Sequence, residues 1–213
     1  MPFARSTLAV SLFAAAALVP AFAQDAKAGA CAAKLAAAKT LNVKLTTSMG
    51  PITLALDKEK APITVANFAQ YVDSGHYNGT VFHRVINGFM IQGGGFATNF
   101  KQKATRAPIV NEAQAAVKGG LKNEVGTIAM ARTSDPNSAT AQFFINVSDN
   151  SFLNWGDPRG DGNGYAVFGK VISGQDVVTK IAKTPTGPGG PFPSDVPRQP
   201  VVIESMTVVG AQK

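Results

Sequence analysis

The sequence predicts a mainly β protein of one domain, a closed or nearly closed antiparallel barrel plugged by two helices. Three observations carry this. Eight short segments between Leu41 and Val209 are rich in apolar residues with strand character, bounded by Gly, Pro or Asn. Only two segments show the spacing of an amphipathic helix. No internal repeat marks a second domain, and 213 residues with 45% hydrophobic content suffice for one sizeable core.

The amino-terminus is set apart from that domain. Arg5, the apolar stretch Leu8 to Val19 and the A-x-A site Ala21-Phe22-Ala23 read as a secretory signal over residues 1–23, cleaved between Ala23 and Gln24. A retained membrane anchor is the weaker reading, because Pro20 interrupts the run and small residues end it. Residues 24–40 form an Ala/Lys-rich leader, mobile or weakly helical, that carries Cys31, the sole cysteine. A lone thiol allows no internal disulfide and no Cys-rich metal site.

From Leu41 the elements follow in order. LNVKLTTS and ITLALD flank a turn at Met49-Gly50-Pro51, with Leu41/Val43/Leu45 and Ile52/Leu54/Leu56 on one buried face. Ala61 to Ser74 carries Pro62 near its start, Ile63, Val65, Phe68, Tyr71 and Val72 at helical spacing, and Gly75 as a stop. The further strands are TVFHRVI, FMIQG, GTIAMAR, AQFFINV, YAVFGKVI and PVVIESMTVV. A second helix covers Gln175 to Ala182, ahead of the Pro/Gly-rich run TPTGPGGPFPSDVP.

Composition and motifs exclude several functions. Twenty Lys and Arg against thirteen Asp and Glu give a net charge of +7, but the basic residues are scattered and no aromatic array accompanies them, which argues against nucleic acid. His76 and His83 have no metal-ligand partners nearby, and neither a GxSxG elbow nor a phosphate-binding lysine loop is present. Gly93-Gly94-Gly95 reads as a tight turn after a strand. The loop from Asp157 to Gly164 departs from a calcium site, with Arg159 at a ligand position and Phe168 where the closing Glu belongs. That loop and its Arg159-Gly160-Asp161 tripeptide read as ordinary surface.

One pattern stays unexplained by these exclusions. Arg84 and Gln92 interrupt the apolar stretch FHRVINGFMIQGG, where an unpaired buried charge would cost several kcal/mol. Strict alternation places Phe82, Arg84 and Ile86 on one face and Val81, His83 and Val85 on the other, so His83 reads as structural. Phe143 and Phe144 must likewise point oppositely, one into the core and one outward. An exposed Phe beside an Arg-bearing strand makes an apolar pocket with one fixed cation.

FHRVINGFMIQGG, GTIAMAR, SATAQFFINV and YAVFGKV, in this order and with these separations, resemble the cyclophilin family of peptidyl-prolyl cis–trans isomerases. The resemblance runs from about Leu41 to Val209, and with the signal it is closest to the bacterial periplasmic branch. It implies an eight-stranded antiparallel barrel capped by two helices, a domain over residues 41–213, periplasmic localisation, and a groove for proline-containing peptides and unfolded exported proteins. By motif position it implies Arg84 as the catalytic residue, Phe89, Met90, Phe144 and Leu153 as the proline pocket, and Gln92, Ala131 and Gln142 as peptide contacts. Phe152 and Tyr165 stand where many relatives carry Trp and His, and Arg132 replaces a common Asn. The hydroxyl of Tyr165 preserves a donor, whereas Phe152 lacks the indole N–H, so cyclosporin binding is expected to be weak. A monomer without cofactor or metal suffices. Two rival readings remain open at this level: a module that grips proline segments without turnover, and a ligand-carrying barrel of lipocalin type.

Overall fold

The computed structural model describes residues 38–212. The expected signal peptide, Cys31 and nearly all of the leader lie outside the described residues.

The first two strands, β1 (Thr40–Thr47) and β2 (Gly50–Asp57), pair in register from Thr40 opposite Asp57 to Thr47 opposite Gly50. The connection is therefore Ser48-Met49, one step earlier than expected, and Pro51 lies within β2. The Thr47 hydroxyl donates to the Gly50 carbonyl at 2.7 Å and closes this turn. Helix α1 (Pro62–Asp73) follows, ending before Gly75, whose φ of 66° suits glycine. No neighbouring side chain caps its amino-terminus. Instead the buried carboxylate of Glu112 accepts from the Ile63 and Thr64 amides at 3.1 and 2.7 Å and from the Thr64 hydroxyl at 2.7 Å.

Strands β3 (Thr80–Ile86) and β4 (Met90–Ala97) form a hairpin around Asn87, Gly88 and Phe89. The glycine run expected to turn after a strand instead continues β4. The reason is space: a Cβ on Gly94 would sit 2.8 Å from Tyr77 and 3.0 Å from Phe143, and one on Gly95 would sit 2.6 Å from Gln142. A helix not expected from the sequence, α2 (Ala113–Lys118), precedes β5 (Thr127–Met130) and β6 (Phe143–Asn146). A single 3₁₀ turn over Ser151–Leu153 leads toward β7 (Val167–Ser173), and α3 spans Gln175–Ala182. The Pro/Gly-rich run then folds into a separate hairpin of β8 (Thr186–Gly189) and β9 (Phe192–Pro197) before β10 (Val202–Gln212).

Eight strands close the barrel in the order β1-β10-β3-β4-β6-β5-β7-β2, every neighbour antiparallel. Closure leaves the barrel no free edge. Leu45, Ile52, Leu54, Leu56, Phe143 and Phe168 fill the interior together with Val65 and Phe68 of α1 and Val178 and Ile181 of α3. Phe68 lies 5.7 Å from Phe143 and 5.1 Å from Phe168, ring centre to ring centre, so α1 plugs one end by aromatic contact. A second, smaller apolar cluster of Met90, Ala129, Phe144 and Val167 lies outside the barrel wall.

Candidate active site

That outer cluster exists because β3 is irregular. Phe82 pairs with Gly93 while Arg84 pairs with Gln92, so β3 spends two residues where β4 spends one. This bulge overturns the alternation expected from the sequence. Phe82 and Val85 both enter the core, whereas His83 and Arg84 both face the outer groove. On β6 the regular pleat holds: Phe143 points inward and Phe144 outward.

A cavity of about 340 Å³ results, lined by Arg84, Phe89, Met90, Gln92, Ala131, Gln142, Phe144, Leu153 and Tyr165. Phe152 is absent from this lining; its ring lies alongside Phe89, with centres 5.9 Å apart and planes 22° from parallel. Four further residues line the cavity: His83, Phe96, Arg132 and Phe192. Periodicity misses His83 because a bulge has no signature in an apolar pattern. Phe192 sits between two prolines in a run with turn composition, and the only hint of it is a bulky aromatic in that setting.

The two polar groups within FHRVINGFMIQGG behave differently. Gln92 donates its amide to Gln142 at 3.0 Å, so it holds the groove floor rather than Arg84. The Arg84 side chain is exposed and makes no hydrogen bond or ion pair with another described residue. A permanently charged fork of donors thus stands free beside an apolar hollow.

The apolar end is fastened from behind by three asparagines. The Asn150 amide donates to the Phe89 carbonyl at 2.8 Å and to Asn146 at 2.7 Å, and Asn146 donates to Asn123 at 3.2 Å. Asn123 in turn donates to the carbonyls of Leu153 and Tyr165, at 3.2 and 3.4 Å. Three lining residues therefore have their backbone fixed by one buried network.

Arg132 closes the same end. Its side chain is only 3% exposed, bonded to Asp161 at 2.5 Å and to the Gly164 carbonyl at 3.0 Å, and it stacks 4.2 Å over the Tyr165 ring. Tyr165 meets Phe144 edge-on at 5.7 Å. The hydrogen bond from Arg132 is the main cause that holds the Asp161 carboxyl below the usual range. Arg159 is engaged as well, by Asp157 at 2.7 Å, so the tripeptide in this loop has both charges occupied. Burial, opposed by the Val81 carbonyl and aided by Arg84, pulls His83 down to about 4, which keeps the imidazole neutral at pH 7. Among the described residues no three His, Cys, Asp or Glu side chains gather as metal ligands.

The fold and site together are a closed eight-stranded antiparallel barrel with a groove on its outer wall, where a free guanidinium stands beside an apolar pocket. Residues 42–208 match the family model described as cyclophilin type peptidyl-prolyl cis-trans isomerase/CLD. The chain is 55% identical over 174 residues to peptidyl-prolyl cis-trans isomerase A of Dickeya dadantii, covering 82% of this chain and 87% of that one. It is 56% identical over 162 residues to isomerase B of Escherichia coli, covering 76% and 96%. A crystal structure of a Cryptosporidium parvum cyclophilin, solved in the presence of the dipeptide Ala-Pro, superposes with a TM-score of 0.62 at 26% identity over 79% of this chain and 99% of that one. The chain belongs to the cyclophilin-type peptidyl-prolyl cis–trans isomerases and is an enzyme of that type.

Proposed function

We propose that the chain accelerates rotation about X-Pro bonds in peptides and in folding exported proteins, with Arg84 as its catalytic residue. The observation that carries this is the free guanidinium beside the apolar end of the groove, where Phe89, Met90, Phe144 and Leu153 meet. Rotation is slow because amide resonance must be broken, at a barrier of roughly 18–20 kcal/mol. At the top of that barrier the prolyl nitrogen is pyramidal and carries a localised lone pair. A catalyst need only bind that geometry more tightly than either planar isomer.

Phe89, Met90, Phe144 and Leu153 hold the pyrrolidine ring while the preceding carbonyl turns. Arg84 donates to the prolyl carbonyl, drawing it to an orientation from which its N–H groups also favour the nitrogen lone pair. Gln92 and Gln142, already paired with each other, meet the substrate backbone, and Ala131 and Tyr165 wall the groove. No bond to the enzyme forms and no cofactor is consumed, so one copy of the chain suffices. Phe152 has no N–H to offer and lies behind Phe89, which supports weak binding of cyclosporin.

The test is cis-to-trans relaxation of a short X-Pro peptide, followed by NMR exchange with wild type, Arg84→Ala and Arg84→Lys. Removing the donors costs about a hundredfold in turnover, the usual scale for preorganised donors at transition-state charge. Lysine, a point charge without the fork, is expected to recover little of it. Binding without acceleration by folded wild type would move the function to a proline-gripping module. Export rests on Arg5, Leu8 to Val19 and the Ala21-Phe22-Ala23 site; a periplasmic product whose first residue is Gln24 is the expected result.

A further inference from the structure

The cavity has a second end that the proline-holding residues leave open. Arg84 pairs with Gln92; Ile86 and Met90 pair on one side of that rung, and His83 and then Phe96 lie on the other. Phe192 of the β8–β9 hairpin covers this second end. His83 is 3% exposed as a residue, and its ring lies 4.7 Å from Phe96 and 5.3 Å from Phe192, while Phe96 and Phe192 meet edge-on at 5.0 Å.

Closure of the barrel does not require this hairpin, which is a sheet of its own. Its docking nonetheless involves unusual backbone. Phe100 and Asp195 are the non-glycine residues with positive φ among those described, at 60° and 66°. A bulky residue adopts that region only where its surroundings impose it, and such positions gather at ligand sites. The surroundings are visible here: Phe100 lies against Phe192 at 6.2 Å, and a Cβ on Gly190 at the hairpin tip would sit 2.4 Å from the Phe100 ring. The tip and the loop after β4 are thus locked together with Phe192 held over the groove.

The chemistry of the lining is apolar and aromatic. His83 Nδ1 is buried without a hydrogen-bond partner, and the ring packs against Phe96 and Phe192 as a third aromatic surface. Arg84 is the charged group that borders it. We propose that His83, Phe96 and Phe192 form a specificity subsite for an aromatic or large aliphatic side chain just after the substrate proline.

The direction rests on the reading of Arg84 given above. If Arg84 holds the prolyl carbonyl, the next residue is bonded to that same carbonyl carbon and leaves on the Arg84 side of the pocket. One extended residue spans about 3.3 Å, which carries the following side chain past Arg84 toward His83.

Three peptides differing only after proline, Ala-Ala-Pro-Phe, Ala-Ala-Pro-Ala and Ala-Ala-Pro-Glu, decide the matter. Affinities come from titration calorimetry with wild type, Phe192→Ala and Phe192→Leu, with melting curves as the check on folding. In wild type the Phe peptide is expected to bind about tenfold more tightly than the Ala peptide, the order for filling an apolar pocket. That ratio falls toward one in Phe192→Ala and is largely restored in Phe192→Leu. Equal affinities in wild type, a ratio untouched by Phe192→Ala, or strongest binding of the Glu peptide overturns the subsite. Exchange rates measured on the same samples read the isomerase separately. Selective binding without acceleration keeps the subsite and rejects the proposed X-Pro rotation, and acceleration without selectivity keeps the rotation and rejects the subsite.

Discussion

Arg84 is available to a substrate because its neighbour takes up the irregularity in β3. With His83 as the extra residue of the bulge, Val85 returns to the core and Arg84 stays at the surface beside Gln92. His83 itself has a measurable cost. Its folded value of about 4 lies below the ordinary 6.5, so the unfolded chain takes up the proton first. The stability tied to its neutral form is full above pH 6.5 and is lost as pH falls through about 4. The loss amounts to about 3 kcal/mol. Urea unfolding of wild type and His83→Leu at pH 7 and pH 4 should show the wild type losing about 3 kcal/mol more than the variant; parallel losses would refute the assignment. Most residues facing the groove were legible from motif resemblance. His83 was not, because alternation assigned it to the wrong face.

At the scale of elements, segments with a clear period or stop signal were legible, and those shaped by contacts were not. Helix α3 falls on the expected Gln175–Ala182, since Gly174 and a strong apolar stripe delimit it. Helix α2 escaped because six residues make too little period to read. The run from Thr186 to Pro197 shows only Pro/Gly-rich composition in the sequence, yet its strands pair and bring Phe192 to the groove. The start of α1 shows the same dependence on distance, since its cap comes from Glu112, 48 residues beyond Thr64. Glu112→Ala strands three donors and is expected to cost about 2–3 kcal/mol. Chemical denaturation checks this. A loss under 0.5 kcal/mol would mean that water replaces the carboxylate.

For the whole molecule, closure couples everything to the last strand. β10 pairs with both β1 and β3, and Ile203 and Met206 are buried in the core. A chain ending at Pro200 loses the seam of the barrel and should show no cooperative thermal transition by circular dichroism. A retained transition would mean that the remaining seven strands hold a core alone.

The sequence by itself determined the barrel, the two longer helices, the family and the polar-apolar motif around Arg84. These depend on period, turn residues and spacing, which act over a few residues and survive as a linear pattern. Only the tertiary structure decided the bulge that turns His83 outward, the asparagine network behind Phe89, Leu153 and Tyr165, the stacking of Arg132 on Tyr165, and the hairpin that sets Phe192 over the groove. Each of these is a choice between backbone registers or docking positions. The energy that makes the choice comes from partners in other elements of the fold, which no local pattern records.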